Sequence, residues 1–235
     1  MVDQNECIVA LNIRSGGGQR TNALLQYLDA QRPETVVLTE WRNNASGRLI
    51  SAWATQRGLH HSSLADAGSA NGIFVASKHA FISEKKTPAG TGPGVLKLIR
   101  FDAFTMLACY FPQKFAKKAF FERCFEIAAE YTDAPFLLLG DLNTGNQIAD
   151  RHATGGAYKC ASMFDELSTR HALRDLWRSS NGADALQWTW LSNRQNGFRI
   201  DHAFGNAAFI QWDKNLHAIT ITPPEERIRT TAQSS

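Results

Sequence analysis

A carboxylate and an amide, Asp141 and Asn143, stand two residues apart directly after an apolar run over residues 135–140. The run has the length and composition of a strand that is buried on both faces. If the backbone stays extended, the two side chains point to the same side. A rigid strand would then direct both polar groups at one point, as in many binding and catalytic sites. An Asp/Asn-rich turn after a core strand is the alternative interpretation of this segment alone.

Further polar side chains stand at or near the ends of predicted strands, or inside otherwise apolar ones: Asn12, Glu40, Tyr110 and Asp201. Burying carboxylates without a cation costs on the order of several kcal/mol. A hard divalent cation would remove that cost, because it prefers carboxylate and amide oxygens and keeps several waters. The sequence has no His/Cys cluster of the kind that zinc needs. Magnesium with open coordination positions indicates phosphate chemistry, since it polarises a phosphoryl oxygen and stabilises the leaving oxyanion.

The elements that would position these residues contain more strands than helices, and the helices fall between pairs of strands. This order favours two packed sheets with helices outside. The predicted strands cover residues 7–13, 35–41, 71–77, 81–86, 95–101, 104–110, 135–140, 186–191, 198–204 and 216–222. The predicted helices cover residues 20–31, 46–57 with Ser46 as N-cap, 114–131 and 161–170, with a helical turn around 175–177.

The composition is that of an ordinary globular protein, with 43% hydrophobic and 20% charged residues among 235. The formal net charge of +3 gives no global field that demands a nucleic-acid partner, so any basic footprint must be local. The four cysteines lie far apart without a CxxC pair, which favours reduced thiols over disulfides or zinc. The sequence shows no signal-peptide pattern and no run long enough for a membrane span, so we expect a cytoplasmic protein that does not contact a membrane.

Six short motifs stand in order along the chain: Leu11-Asn12-Ile13-Arg14, Leu38-Thr39-Glu40, Tyr110-Phe111-Pro112, Gly140-Asp141-Leu142-Asn143, Thr189-Trp190 and Arg199-Ile200-Asp201-His202. Each motif is weakly specific alone, but six in order are specific together. In this order the chain resembles the endonuclease/exonuclease/phosphatase family over nearly its whole length. The resemblance implies an α+β fold, a four-layered α/β/β/α sandwich of two packed mixed sheets with helices outside.

The resemblance also implies roles for the residues of the motifs. Glu40 would be the principal metal ligand, assisted by Asn12, for Mg²⁺ with Mn²⁺ as the alternative. Asp141 would orient or deprotonate the attacking water, and Asn143 would hydrogen-bond the scissile phosphate. Attack would be in line, with the cation neutralising charge as it develops.

Other residues of the motifs are expected around the same centre. By the same resemblance, Tyr110 would reach a phosphate oxygen, and Asp201 would orient a catalytic histidine later in the chain. Trp190 would wall the site beside the leaving sugar. Lys114 lies at the start of a predicted helix, where its positive charge is unfavourable beside the positive end of the helix dipole. This placement indicates an anionic ligand, and a solvated basic face is the alternative. Asn71 and Arg14 complete the substrate-binding candidates.

The chain departs from the family pattern in three places. Family members end with Ser-Asp-His before a final strand, whereas this sequence stops at Ser234-Ser235. His202 is a poor substitute for that histidine, because it neighbours Asp201 on a strand and faces the other way. Gln113 stands where the family often has Asn, which leaves one phosphate contact undecided. Arg14-Ser15 stands where some relatives have an acidic residue, which leaves a second metal position undecided. We expect one domain over residues 1–235 that lacks its last strand. Either the given chain is cut before the Ser-Asp-His motif, or the protein is a catalytically impaired relative.

The substrate expected from the resemblance is DNA rather than RNA. The Trp-Leu-Ser-Asn sequence from Trp190 does not match the signature of the inositol-phosphatase branch. The aromatic residues near it and the lysines over 114–118 could stack on bases and contact phosphates of a strand. We therefore expect a monomeric, metal-dependent DNA endonuclease or exonuclease. The alternatives are hydrolysis of a small phosphoester and a non-catalytic module that binds nucleic acid or protein.

Overall fold

The computed structural model describes residues 7–64, 71–212 and 218–221. Within these ranges the chain forms thirteen β-strands and six α-helices. The strands are β1 (Cys7–Asn12), β2 (Thr35–Trp41), β3 (His60–Leu64), β4 (Gly72–Ser77), β5 (Ile82–Lys85), β6 (Val95–Arg100), β7 (Thr105–Tyr110), β8 (Phe136–Asp141), β9 (Arg174–Asp175), β10 (Trp190–Leu191), β11 (Gly197–Phe198), β12 (Asp201–Gly205) and β13 (Ala218–Ile221). The helices are α1 (Thr21–Gln31), α2 (Ala45–Gln56), α3 (Lys117–Ala129), α4 (Ala161–Thr169), α5 (Leu176–Asn181) and α6 (Ala207–Trp212).

Two mixed sheets contain most of the strands. The first has five strands in the order β13-β1-β2-β4-β3, and β1 runs parallel to both β13 and β2. The second has six strands in the order β5-β6-β7-β8-β12-β9, and β7 and β8 are its parallel pair. Strands β10 and β11 form a separate antiparallel pair. The predicted arrangement of two mixed sheets is confirmed.

Three apolar layers hold the sheets and helices together. Ile8, Val37 and Val75 of the first sheet pack with Met106 and Leu139 of the second, which fills the space between the sheets. The outer face of the first sheet packs on α1 and α2, and that of the second packs on α3 and α4. Strand residues therefore alternate between two buried faces, which is why β2, β4 and β8 are almost continuously apolar. The predicted four-layered α/β/β/α sandwich is confirmed.

The predicted N-cap of the second helix is wrong. The side chain of Asn44, rather than that of Ser46, accepts a hydrogen bond from the backbone N–H of Gly47 at 3.0 Å. The helix therefore begins at Ala45, and Ser46 lies in its first turn. Asn and Ser are equally good N-caps, so the residue type alone did not distinguish the two positions.

Some predicted strand boundaries are also wrong. The strand expected over residues 186–191 shrinks to Trp190–Leu191. The one expected over 198–204 divides into β11 and β12, because Arg199 donates its backbone N–H to Asp150 O at 2.7 Å. Strand β3 was not predicted, since its polar, largely exposed residues carry no apolar periodicity. His60 and His61 of this strand are exposed.

Several sequence expectations concern parts of the chain at or beyond the described residues. The last predicted strand, over 216–222, is described only as β13. The polar segment over 223–235, with Ser234 and Ser235, lies outside the described residues. All four cysteines lie within the described residues and are free thiols, as the sequence indicated. No helix in the described ranges combines the length and apolar character that a membrane crossing requires.

Candidate active site

The ends of strands from both sheets meet at one edge of the sandwich. Asn12 is the last residue of β1, and Glu40 is the second-last residue of the neighbouring parallel strand β2. In the second sheet, Tyr110 and Asp141 end the parallel strands β7 and β8 and are register partners. Asp201 begins the antiparallel strand β12 opposite Asp141. Five of the six polar residues that the sequence analysis singled out at strand ends therefore converge, and the sixth, Asn143, follows Asp141 by two residues.

The amide of Asn12 joins the two sheets at this edge. Its Nδ2 donates one hydrogen bond to Glu40 Oε1 at 2.9 Å and another to Asp141 Oδ2 at 2.8 Å. Its Oδ1 accepts from the backbone N–H of Arg14 at 2.8 Å. One side chain thus holds a carboxylate of each sheet at hydrogen-bonding distance from the same nitrogen.

Glu40 is held on its other oxygen as well. Oε2 accepts from the backbone N–H of Ser15 at 2.7 Å and from Nδ2 of Asn71 at 3.1 Å. Asn71 also donates to the hydroxyl of Tyr110 at 3.1 Å, and its Oδ1 accepts from Nε of Arg42 at 2.6 Å. Arg42 thereby fixes the orientation of the Asn71 amide. No sequence pattern pointed to Arg42, because its partner lies 29 residues away.

Backbone strain concentrates around the same edge. Glu40, Asn143, Arg14 and Lys114 have φ angles of 58°, 51°, 54° and 57°. They are four of the nine non-glycine residues with positive φ in the described ranges. Such conformations cost on the order of 1 kcal/mol or more and cluster at functional sites. In β2 the strain accompanies a break in register between Thr39 and Trp41, which places Glu40 out of the ladder.

Gly140 explains why the apolar run of β8 ends in glycine. Its φ is 137°, and a Cβ at this position would lie 2.1 Å from the carbonyl oxygen of Cys109 on β7. Only glycine permits this close approach of the two strands. The contact fixes the backbone immediately before Asp141.

Burial and like charge disturb the ionisation of the carboxylates. Asp141 is 1% exposed, and burial, reinforced by the charge of Asp201, raises its pKa well above the ordinary value. Burial raises the pKa of Asp201 to about 6, and the charge of Glu40 adds to the shift. Burial also raises the pKa of the Tyr110 hydroxyl. These groups therefore lie in a site that disfavours accumulated negative charge.

Asn143 is held at three points after β8. Its Nδ2 donates to the carbonyl of Phe111 at 2.7 Å, and its Oδ1 accepts from Nε2 of Gln113. Its own backbone carbonyl accepts from Nζ of Lys117, a side chain that is 2% exposed and whose pKa burial lowers to about 8. The longer Gln113 therefore contacts Asn143 directly. Sequence reasoning missed the positioning roles of Gln113 and Lys117.

These residues surround a cleft with a volume of about 640 Å³. Its lining includes the carboxylates of Glu40, Asp141 and Asp201 and three lysines. It also includes Trp190, which is 41% exposed and whose ring centroid lies 5.4 Å from that of Phe198. Tyr110 and Asn71 are not in the lining and connect to Glu40 through the hydrogen bonds of Asn71. The predicted residues in the lining are Asn12, Arg14, Glu40, Lys114, Asp141, Asn143, Trp190 and Asp201.

Asp201 also lines a second cavity, of about 200 Å³, with Ala203, Ile219 and Ile221. Its backbone N–H donates to Thr189 Oγ1 at 3.1 Å. His202 faces the opposite side of the strand, as the sequence predicted: it is 0% exposed and its Nε2 lies 2.9 Å from the carbonyl of Thr144. Burial lowers the pKa of His202 to about 4. His202 is therefore a neutral core residue outside the cleft.

A buried ion network supports the strand that carries Asp201. Nε of Arg199 donates to Asp150 Oδ1 at 2.7 Å, and its terminal nitrogens bind Asp175. Asp150 also accepts from Arg178. Arg199 is 2% exposed and Asp150 is 0% exposed. No sequence pattern indicated Asp150, because its partner Arg199 lies 49 residues further along the chain.

Comparison with known proteins shows similarity at the level of structure. No protein-family model and no curated protein sequence matches the chain. A structure of the 3′ phosphatase NExo from Neisseria, bound to product DNA hairpin, is 19% identical with a TM-score of 0.69, covering 86% of each chain. An AP endonuclease from Archaeoglobus fulgidus is 14% identical with a TM-score of 0.67, covering 85% of this chain and 86% of that one.

A third similar structure is truncated TDP2 from Caenorhabditis elegans, at 16% identity and a TM-score of 0.60. The match covers 84% of this chain and 82% of that one. The TM-scores establish a common architecture. At sequence identities this low, the chemistry has to be inferred from the residues of the cleft. The chain therefore shares its fold with the endonuclease/exonuclease/phosphatase family that its motifs resemble.

Proposed function

We propose that the protein is a metal-dependent phosphodiesterase that hydrolyses DNA. The observation that carries the proposal is the distribution of charge in the cleft. The carboxylates of Glu40, Asp141 and Asp201 and the side chains of three lysines line the same cleft, so a cation and a phosphate would be held side by side. Among the structural neighbours, a 3′ phosphatase bound to product DNA hairpin and an AP endonuclease support this choice of substrate.

The residues on the floor of the cleft fit a hard divalent cation. Within the described residues, no group of three or more His, Cys, Asp or Glu side chains is arranged as a metal site. The oxygen donors nearest to one another are instead the carboxylates of Glu40 and Asp141, one from each sheet, and Oδ1 of Asn12, which also accepts from the backbone N–H of Arg14. Burial and like charge raise the pKa of Asp141, and a bound cation would relieve both effects. Glu40, assisted by Asn12, would hold Mg²⁺, with Mn²⁺ as the alternative.

When bound, the cation polarises a phosphoryl oxygen and neutralises the developing charge on the leaving oxygen. Asp141 orients the attacking water and accepts its proton. Asn143 and Tyr110 hydrogen-bond the phosphate oxygens. The hydrogen bonds to Asn143 and Tyr110 hold both groups before substrate arrives.

Asp201 positions a proton-transferring group, for which the family resemblance implies a histidine later in the chain. Its place between the cleft and the second cavity supports this role, since a partner side chain could reach it from either side. Trp190 walls the leaving sugar, and Lys114 and Arg14 contact phosphates. Asn71 acts through Glu40 and Tyr110, which it contacts. All these side chains come from one chain, so the proposed active form is a monomer.

The proposal is tested by incubating the protein with Mg²⁺ or Mn²⁺ and a panel of phosphoesters. The panel contains supercoiled plasmid, abasic duplex, a single-stranded oligonucleotide, RNA and a small nitrophenyl phosphodiester. We expect cleavage of at least one DNA substrate and its abolition by EDTA. Cleavage of the small ester alone, with little salt dependence, would instead favour a small-phosphoester hydrolase. If every substrate stays intact, the proposal fails.

A further inference from the structure

Phe115 is an exposed aromatic residue at the mouth of the cleft. It lies in a short 3-10 helix, Lys114–Ala116, immediately before α3, and is 68% exposed. The side chains of Lys114 and Lys117 on either side of it line the cleft, while that of Phe115 stands outside the lining. Its apolar surface therefore extends the binding surface beyond the cavity itself.

Lys159 holds a positive charge against this ring. Its Nζ lies 5.5 Å from the ring centroid of Phe115, and its side chain also lines the cleft. Its carbonyl accepts a hydrogen bond of 3.0 Å from Thr144 Oγ1, and Thr144 is 0% exposed. The backbone of Lys159 is thus anchored to the core. Because the ring stays largely exposed, the cation leaves room for a second group to stack on it.

The charge around Phe115 is arranged for an anion. Lys114, Lys117 and Lys118 crowd the start of α3, where the helix dipole is already positive. The side chain of Lys118 is 68% exposed, and its distance to Glu122 is 3.8 Å, which is a weak surface pair. Nζ of Lys117 donates to the Asn143 carbonyl, so Lys114 and Lys118 are the exposed charges of this group that remain for a phosphate.

We propose that Phe115 and Lys159 form a platform for an unpaired nucleotide adjacent to the scissile phosphate. The base stacks on the Phe115 ring, and Lys159 with Lys114 holds the neighbouring phosphate. A base inside a duplex has both faces covered, so the platform selects single-stranded or frayed DNA ends. A small phosphoester would fit within the cleft and not reach Phe115. This inference rests on the proposed function and names the substrate form that the site takes.

Binding without catalysis tests the platform. Fluorescence anisotropy is measured in EDTA with labelled single-stranded oligonucleotides and with fully paired duplexes. Because stacking of one base is lost, Phe115→Ala should weaken single-strand binding roughly 5- to 100-fold. The matched control is Ile82→Ala, which removes a 71% exposed apolar side chain on β5 and should leave binding unchanged. Equal thermal unfolding of both variants shows that the fold is retained.

Oligonucleotides with one abasic spacer at successive positions locate the stacked base. The effect of Phe115→Ala should disappear at one spacer position and persist at the others. Lys159→Ala should lower the slope of log affinity against log salt concentration by about 1. Its control is Lys78→Ala, which should leave the slope unchanged. Asn71, near the cleft, precedes β4, whereas Lys78 follows the opposite end of that strand.

Wild-type affinity of Phe115→Ala for every oligonucleotide would overturn the platform. So would equal weakening at all spacer positions. These outcomes are distinct from failure of the proposed function. If Phe115→Ala hydrolyses DNA with unchanged kinetics, only the platform fails. If strands bind through Phe115 and nothing is hydrolysed, the platform stands and the hydrolase proposal fails.

Discussion

Asp201 lies directly opposite Asp141 in the antiparallel pairing of β12 with β8, so two buried carboxylates share one position across the sheet. The charge of Asp201 raises the pKa of Asp141, and the charge of Glu40 raises the pKa of both. Buried like charges are costly without compensation. The pairing is therefore a structural reason to expect a cation at the end of β8.

Divalent cation should stabilise the protein. At about 100 times the dissociation constant, Mg²⁺ should add about 2.7 kcal/mol to the free energy of unfolding, because it binds the folded state only. Glu40→Gln should abolish most of this shift, since it removes the principal ligand. Differential scanning fluorimetry with Mg²⁺ and with EDTA measures both. An equal shift in Glu40→Gln would show that the ion binds elsewhere.

Lys117 should contribute to activity by positioning Asn143. Lys117→Met should lower kcat roughly 10- to 100-fold, because Asn143 loses the hydrogen bond to its carbonyl and shifts by a fraction of an ångström. Lys117→Arg should restore part of the activity. In a double-mutant cycle with Asn143→Ala, the two losses should be markedly less than additive. Full additivity would mean that Lys117 acts independently of Asn143.

The buried ion network should be essential for folding. Asp150→Ala should cost roughly 3–5 kcal/mol, because it leaves the buried guanidinium of Arg199 without one of its carboxylates. The control is Glu122→Ala at the Lys118–Glu122 pair, whose side chains are 68% and 54% exposed. Removal of that surface pair should cost under about 1 kcal/mol. Denaturant unfolding compares the two, and similar costs would contradict the assignment.

Lys97 should make stability depend on pH. Its side chain is 2% exposed between the sheets, its Nζ donates to Ser62 Oγ at 2.6 Å, and burial lowers its pKa from 10.5 to about 8. The unfolded chain therefore binds more protons between these values, and stability rises with pH from about 8 to 10.5. Lys97→Met should stabilise the protein by about 1–3 kcal/mol below pH 8 and by less as the pH approaches 10.5.

Denaturant unfolding at pH 7 and pH 10 measures this difference for Lys97→Met. Lys78→Met, at a lysine whose side chain is 53% exposed, is the control and should show no comparable gain. The same gain for Lys97→Met at both pH values would contradict the assigned cause, since it would not depend on the charge of the amine.

The fold could be predicted where burial on both faces leaves a continuous apolar run. Strand β2 matches its predicted range, Thr35–Trp41, to the residue. Strand β3 could not be predicted, because it is polar and, among the described residues, lies at the edge of its sheet and pairs with β4 alone. Helix α6 was also missed, since its six residues carry too little periodicity.

The site was predicted where polar residues interrupt or end apolar strands, as at Glu40 and Asp141. The supporting residues could not be found in the same way. Their contacts depend on how distant segments of the chain come together, as those of Arg42, Lys117 and Asp150 show. No pattern in the neighbouring sequence distinguishes these charged residues from charged residues on the surface. Their roles follow from tertiary structure alone.

The central claim is that Glu40 and Asp141 support metal-dependent hydrolysis of DNA in this cleft. The most direct measurement is the single-turnover cleavage rate of an end-labelled DNA substrate with Mg²⁺, for the wild type, Asp141→Asn, Glu40→Gln and the distant control Lys78→Ala. We expect cleavage by the wild type and Lys78→Ala, and a loss of roughly 100-fold or more in Asp141→Asn and Glu40→Gln. Cleavage at the wild-type rate by Asp141→Asn, or no dependence on Mg²⁺, would contradict the claim.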